Sequence, residues 1–168
     1  MKLKISFLVL PLLFLAFLVN AQTPEQQLEK LGLSLPEVGI PIANYVKWRQ
    51  VDNMLYLSGT GPDVFGKVGA DLTVEEGYKA ARETGLEVIA VLKAATGDLS
   101  RIKQFVKVLG MVNSDPDFTK QPAVINGFSD LMVEVFGEKG KHARSAVGVA
   151  ALPNNMAVEI EVIVELND

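Results

Sequence analysis

Two stretches of helical periodicity, set among β-branched runs, constrain the folding of this chain more than any other feature of its 168 residues. Thr73-x-x-Glu76 is a capping box, with both side chains spaced to satisfy first-turn amides. Val74, Tyr78, Ala81, Gly85, Val88 and Leu92 then recur at steps of three and four, which is one apolar face, and Gly97 supplies a left-handed stop. A second stripe, Ile125, Phe128, Leu131, Met132 and Val135, predicts a helix from about Pro122 to Phe136, opened by the proline and closed by Gly137. Around these helices the pattern is that of strands. Residues 42–51 and 54–57 flank Asp52-Asn53 and predict a β-hairpin, and residues 102–113 are β-branched and aliphatic. Residues 143–151 and 157–166, joined by Leu152-Pro153-Asn154-Asn155-Met156, predict an antiparallel pair, because Pro-Asn-Asn is turn chemistry. Ser58-Gly59-Thr60-Gly61-Pro62 reads as a plain turn, since no Gly-Lys-Ser/Thr and no helix start follow to make it a phosphate cradle. The order β-β-α-β-α-β-β predicts an α+β fold, one mixed sheet with two helices on one face. Its other face must be polar or covered by another copy, so self-association is expected.

The front of the chain is an address rather than part of that fold. Lys2 and Lys4 precede an uncharged apolar run from Ile5 to Val19, which ends in Val19-Asn20-Ala21. Residues 1–21 therefore read as a signal peptide cut after Ala21, because the run is short for a spanning helix of about 20 residues and small residues occupy the cleavage positions. Export to a periplasm or the exterior is expected, with no stable membrane insertion after cleavage. Residues 22–39, which hold Pro24 and Pro36 and scattered leucines, read as an extension and connector, and residues 40–168 as the domain.

Composition closes off several chemistries. The chain carries 16 basic and 20 acidic residues, and loss of Lys2 and Lys4 leaves 14 against 20, a charge of −6. No basic stripe is present, so nucleic acid is not an expected partner. Without cysteine there is no thiol nucleophile, disulfide or thiolate metal site, and one histidine, His142, leaves little room for a zinc site or a Ser-His-Asp triad. The chemistry-bearing candidates are few. In the strand after His142, Arg144 shares a face with Ala146, Gly148 and Ala150, small neighbours that leave space for a bidentate grip on a carboxylate. Spacing alone favours the plainer reading, an exposed or salt-bridged arginine. Glu159 and Glu161 share a face of the last strand; covered by another subunit, either could pair, position water or move a proton. His142 reads as a solvated loop residue.

These residues match a known pattern. Arg144-Ser145-Ala146-Val147, Leu152-Pro153 and Val158-Glu159-Ile160-Glu161 resemble the C-terminal signature of the RidA/YjgF family, Arg-Ser-x-Val, Leu-Pro, then Val-Glu-Ile-Glu. Residues 41–45 with Asn53-Met54-Leu55-Tyr56-Leu57-Ser58-Gly59 resemble that family's N-terminal hairpin. The resemblance implies a chorismate-mutase-like fold, a homotrimer with clefts between subunits, and hydrolysis of reactive enamine/imine intermediates to 2-keto acids and ammonia without metal or cofactor. It also implies that Arg144 binds the substrate carboxylate, that Glu159 handles water, and that Tyr45, Ser58 and Asn126 line the cleft. Ala146 stands where that family often has cysteine. An alternative of another class, a non-catalytic carboxylate-binding or stress-protective protein on the same scaffold, uses Arg144 equally well.

Overall fold

The structure, a computed structural model, describes residues 22–167. The signal-peptide expectation for residues 1–21 lies outside the described residues. A short helix α1, Pro24–Lys30, opens on a capping box of Thr23 and Gln26 and buries Leu28. It is tied to the domain by Glu25, whose carboxylate accepts from Lys93 Nζ at 2.7 Å and from the Leu99 amide at 2.8 Å. Strands β1, Trp48–Val51, and β2, Met54–Thr60, form the expected hairpin, with Asp52 at positive φ in its turn. The hairpin is shorter at its start than expected: residues before Trp48 are irregular, and Ile42 is 97% exposed.

Helix α2, Val74–Thr96, begins at the Thr73 capping box and ends at Gly97 with φ 73°, as the sequence requires. Strand β3, Ile102–Asn113, leads to helix α3, Gln121–Phe136, then to strand β4, Ala143–Val149, and strand β5, Val158–Leu166. The sheet order is β1-β2-β5-β3-β4. β4 and β5 are therefore antiparallel in direction but not paired, which corrects the expectation of an adjacent pair. β3 lies between them, parallel to β4 and antiparallel to β5. The cause is twofold. A helix connection, α3, allows β4 to lie parallel beside β3, as such strands require. β5 buries Val158, Ile160, Val162, Val164 and Leu166 and gains a neighbour on each edge by taking the centre.

Ser58-Gly59-Thr60 is a second correction: it belongs to β2 rather than to a turn. Leu57 faces Val162 and Thr60 faces Ile160, so Ser58 and Gly59 together stand opposite Glu161 as a β-bulge. Leu55, Val108, Ile160 and Val162 point from the sheet toward α2 and α3, where Ala81, Val88, Leu92, Ile125, Phe128 and Met132 complete the core. Gly127 permits the two helices to touch, since a Cβ there would overlap the Tyr78 carbonyl. The other sheet face has no helix over it and carries Tyr56, Leu109, Met111, Val147, Glu159, Glu161 and Ile163.

Candidate functional site

Register assigns the candidate residues to two places. Arg144 is aligned with Val108 and, through it, with Val162, both buried beneath the helices, so its side chain leaves the sheet on the helix side at the β4 edge. There Arg144 Nη1 donates to Asn126 Oδ1 at 2.9 Å and to Ser129 Oγ at 3.0 Å. Asn126 and Ser129 lie three residues apart on α3, so the helix presents both acceptors toward β4. Among the described residues no ion pair includes Arg144, and the residue is half-buried, so of the exposed or salt-bridged arginine that spacing favoured the fold builds neither the ion pair nor a fully exposed side chain. Both partners are neutral, so neither offsets the guanidinium charge. Beside it opens a cavity of about 330 Å³, lined by Ser129, Val133, Lys141, His142 and Arg144. Larger cavities, about 490 and 550 Å³, open beside α1 and at the far end of β4, and neither gathers Arg144 or Glu159.

Glu159 is elsewhere. Aligned with Met111, it leaves the sheet on the open face, as does Glu161. The β2 bulge brings Gly59 under its carboxyl group: a Cβ on Gly59 would overlap Glu159 Oε1. Partial burial, and secondarily the charge of Glu161, pushes the Glu159 carboxyl above its ordinary pKa. Ser58 is the other residue of the bulge, and its hydroxyl donates to the Val46 carbonyl at 2.7 Å, which fastens the connector that carries Tyr45. Tyr45 itself is 46% exposed. Glu159 and the Ser58-Gly59 bulge thus belong to one face of the sheet and Arg144 and Asn126 to the other, while Tyr45 lies in the irregular connector before β1.

Three contributors escape a reading of sequence. Gly59 could have been found, because glycine inside a strand signals a bulge or close approach. Ser129 was legible only as a residue one turn beyond Asn126. His142 is the third, and it corrects the expectation of a solvated loop residue. The imidazole is half-buried against Phe105 and Phe128, with Nδ1 2.7 Å from the Gly140 carbonyl and Nε2 3.1 Å from Ser129 Oγ. Desolvation first, then the Arg144 charge, hold its pKa below the usual histidine range, against the raising effect of Gly140. Among the described residues no group of three or more histidines, cysteines or carboxylates could hold a metal ion.

Comparison with known proteins agrees with this architecture. A crystal structure of a protein of unknown function from Agrobacterium tumefaciens superposes with a TM-score of 0.80 at 44% identity, over 86% of this chain and 92% of that one. Protein TCP17 of Trypanosoma cruzi is 47% identical over 84% of this chain and 92% of its own length. A Dermatophagoides farinae protein named 2-iminobutanoate/2-iminopropanoate deaminase is 34% identical over 79% of this chain and 93% of its own. Residues 25–166, nearly all that the structure describes, match one family along their whole length. The strand order, the motif around Arg144 and these relatives converge, and the chain belongs to the YjgF/chorismate-mutase-like endoribonuclease family, the RidA/YjgF proteins.

Proposed function

We propose that this protein hydrolyses small 2-imino acids and their enamine tautomers to 2-oxo acids and ammonia, in clefts that copies of the chain complete together. The observation that carries the reading is the Arg144 guanidinium, held by two neutral oxygens at the mouth of a cavity with no carboxylate of its own. Such a group offers a planar, permanently charged grip for a substrate carboxylate. The name of the Dermatophagoides farinae relative supports the substrate class.

The chemistry needs little more. Protonated imine carbon is electrophilic, so orientation, a counter-charge and a placed water suffice. Water adds to the C=N carbon and gives up a proton; the resulting carbinolamine expels ammonia as its C–O bond becomes C=O. Glu159, with its raised pKa, is suited to take the proton from water and return it to the leaving nitrogen. Because Arg144 and Glu159 leave opposite faces of the sheet, the two act on one molecule when the β4 edge of one copy meets the open face of another. A head-to-tail contact of that kind closes into a ring, and three copies is the proposed number. Export through residues 1–21 belongs to the same proposal, and exported protein should begin at Gln22; a secreted or cytoplasmic form that retains Met1 contradicts it.

The test is a rate. With 2-iminopropanoate generated in situ, wild type should release pyruvate faster than buffer, and Arg144→Ala should lose about 30- to 900-fold in kcat/KM, or about 2 to 4 kcal/mol of transition-state stabilisation. No rate above buffer ends the enzyme reading. A second reading, binding without turnover, is favoured for the lone chain by the same split of Arg144 from Glu159, and saturable pyruvate binding without hydrolysis in the assembled protein would establish it.

A further inference from the structure

The hydrogen bonds behind Arg144 can be assigned a direction from one end. The Gly140 carbonyl only accepts, so Nδ1 of His142 carries the proton and donates to it. In the neutral ring Nε2 is then a lone pair, and it accepts the Ser129 hydroxyl proton. With that proton turned toward the imidazole, the Ser129 oxygen presents its lone pairs to the other side, where Arg144 Nη1 donates to it. The same Nη1 donates to Asn126 Oδ1. Five residues, Asn126 and Ser129 of α3, Gly140 of the turn at 137–140, His142 just before β4 and Arg144 of β4, therefore make one directed network around the guanidinium.

We propose that Ser129 and His142 are positioning residues for the carboxylate-binding arginine: the neutral imidazole orients the Ser129 hydroxyl, whose oxygen holds the Arg144 guanidinium toward its ligand. The inference rests on the proposed function, which supplies a carboxylate for Arg144, and adds the device that aims it. Neither Ser129 nor His142 needs to touch the reacting atoms.

One consequence is a coupling between ligand and proton. Protonation at Nε2 would direct a second N–H at Ser129 Oγ, so that two cationic groups share one oxygen. A carboxylate on Arg144 offsets one of the two charges and makes that arrangement less costly. Ligand binding then favours the protonated ring and, by reciprocity, acidification favours ligand binding. The groups that face the ring define the effect: Phe105 from β3, Phe128 and Ser129 from α3, the Gly140 carbonyl from the turn, and Arg144 from β4 as the charge acting on it. Lys141 lines the same cavity, and its ammonium is paired with Glu138 at 2.8 Å.

The chain has one histidine, so its imidazole resonances report this position alone. Pyruvate, the product of the proposed reaction, is the probe, added to the full assembled protein. Saturating pyruvate should raise the titration midpoint of His142, and Arg144→Gln should abolish that rise. Ser129→Ala and His142→Phe, the latter keeping a ring between Phe105 and Phe128, should each weaken pyruvate binding about tenfold, the scale of one hydrogen bond to a charged group, while Ser129→Thr, which keeps the hydroxyl, restores it. Far-ultraviolet circular dichroism of each variant guards against loss of the fold. If pyruvate binds wild type and needs Arg144, yet binds Ser129→Ala and His142→Phe equally well and leaves the imidazole titration unmoved, the relay is wrong and the site reading stands. If pyruvate does not bind, or binds Arg144→Gln as tightly, both fall together.

Discussion

Glu159 carries a cost as well as its proposed role. Its folded pKa is raised by partial burial and by Glu161, so the folded chain holds its proton more tightly than the unfolded one. Stability from this group is fully present below the unfolded value, about 4.5, and is lost as pH rises through the folded value. Glu159→Gln cannot ionise. Thermal melts should therefore show the variant gaining on wild type between pH 4 and pH 8, and a constant gap across that range would show that burial does not penalise the charge. The same substitution should reduce turnover while leaving carboxylate binding at Arg144 in place. Improved stability with diminished chemistry is the signature of a group kept for function. Gly59 makes that placement possible, because any side chain there would occupy the position of the carboxyl group.

Among the elements, the contact of α2 with α3 decides where the site's acceptors stand. Tyr78 donates to Asp130 at 2.9 Å and Arg82 pairs with Glu134 at 2.6 Å along its exposed margin. Exposed pairs of this kind contribute little, and the close approach at Gly127 matters more. Gly127→Ala would drive a methyl group into the Tyr78 carbonyl, a backbone atom that cannot turn away. Overpacking at such a point costs about 1 to 3 kcal/mol, more than the helix propensity gained from alanine, about 1 kcal/mol. Chemical denaturation should show a net loss of stability, and an unchanged or higher midpoint would mean that the helices separate freely. Because Asn126 immediately precedes Gly127, the variant should also weaken ligand binding at Arg144.

At the scale of the molecule, the sheet itself divides the chemistry. Arg144 and Asn126 lie on the helix side of one edge; Ser58, Gly59 and Glu159 lie on the open face. That face carries Leu109, Met111, Val147 and Ile163 among its charges, and Val147 remains 42% exposed in the single chain. An apolar surface of this kind is suited to another copy. Light scattering coupled to size exclusion should find three chains per particle. A sharper check uses complementation: Arg144→Ala and Glu159→Gln, each poorly active alone, should regain activity when coexpressed, because some clefts then take an intact Arg144 from one copy and an intact Glu159 from another. No recovery in demonstrably mixed particles would mean that both groups serve the cleft from one chain.

Local chemistry wrote much of this fold into the sequence by itself. The Thr73 cap, the Gly97 stop, the two helical stripes and the period-two strands are interactions among residues a few positions apart, so they can be read along the chain. The motif around Arg144 and Glu159 was legible for the same reason, and family membership followed from it. What lay beyond reach was adjacency. Turn residues before β5 specify that the chain reverses, not how many strands it crosses, and only packing sends β5 to the centre and leaves β4 at an edge. The burial of His142, its link to Arg144 through Ser129, and the separation of Arg144 from Glu159 all depend on that choice, because each joins residues whose distance is set by the sheet rather than by the backbone between them.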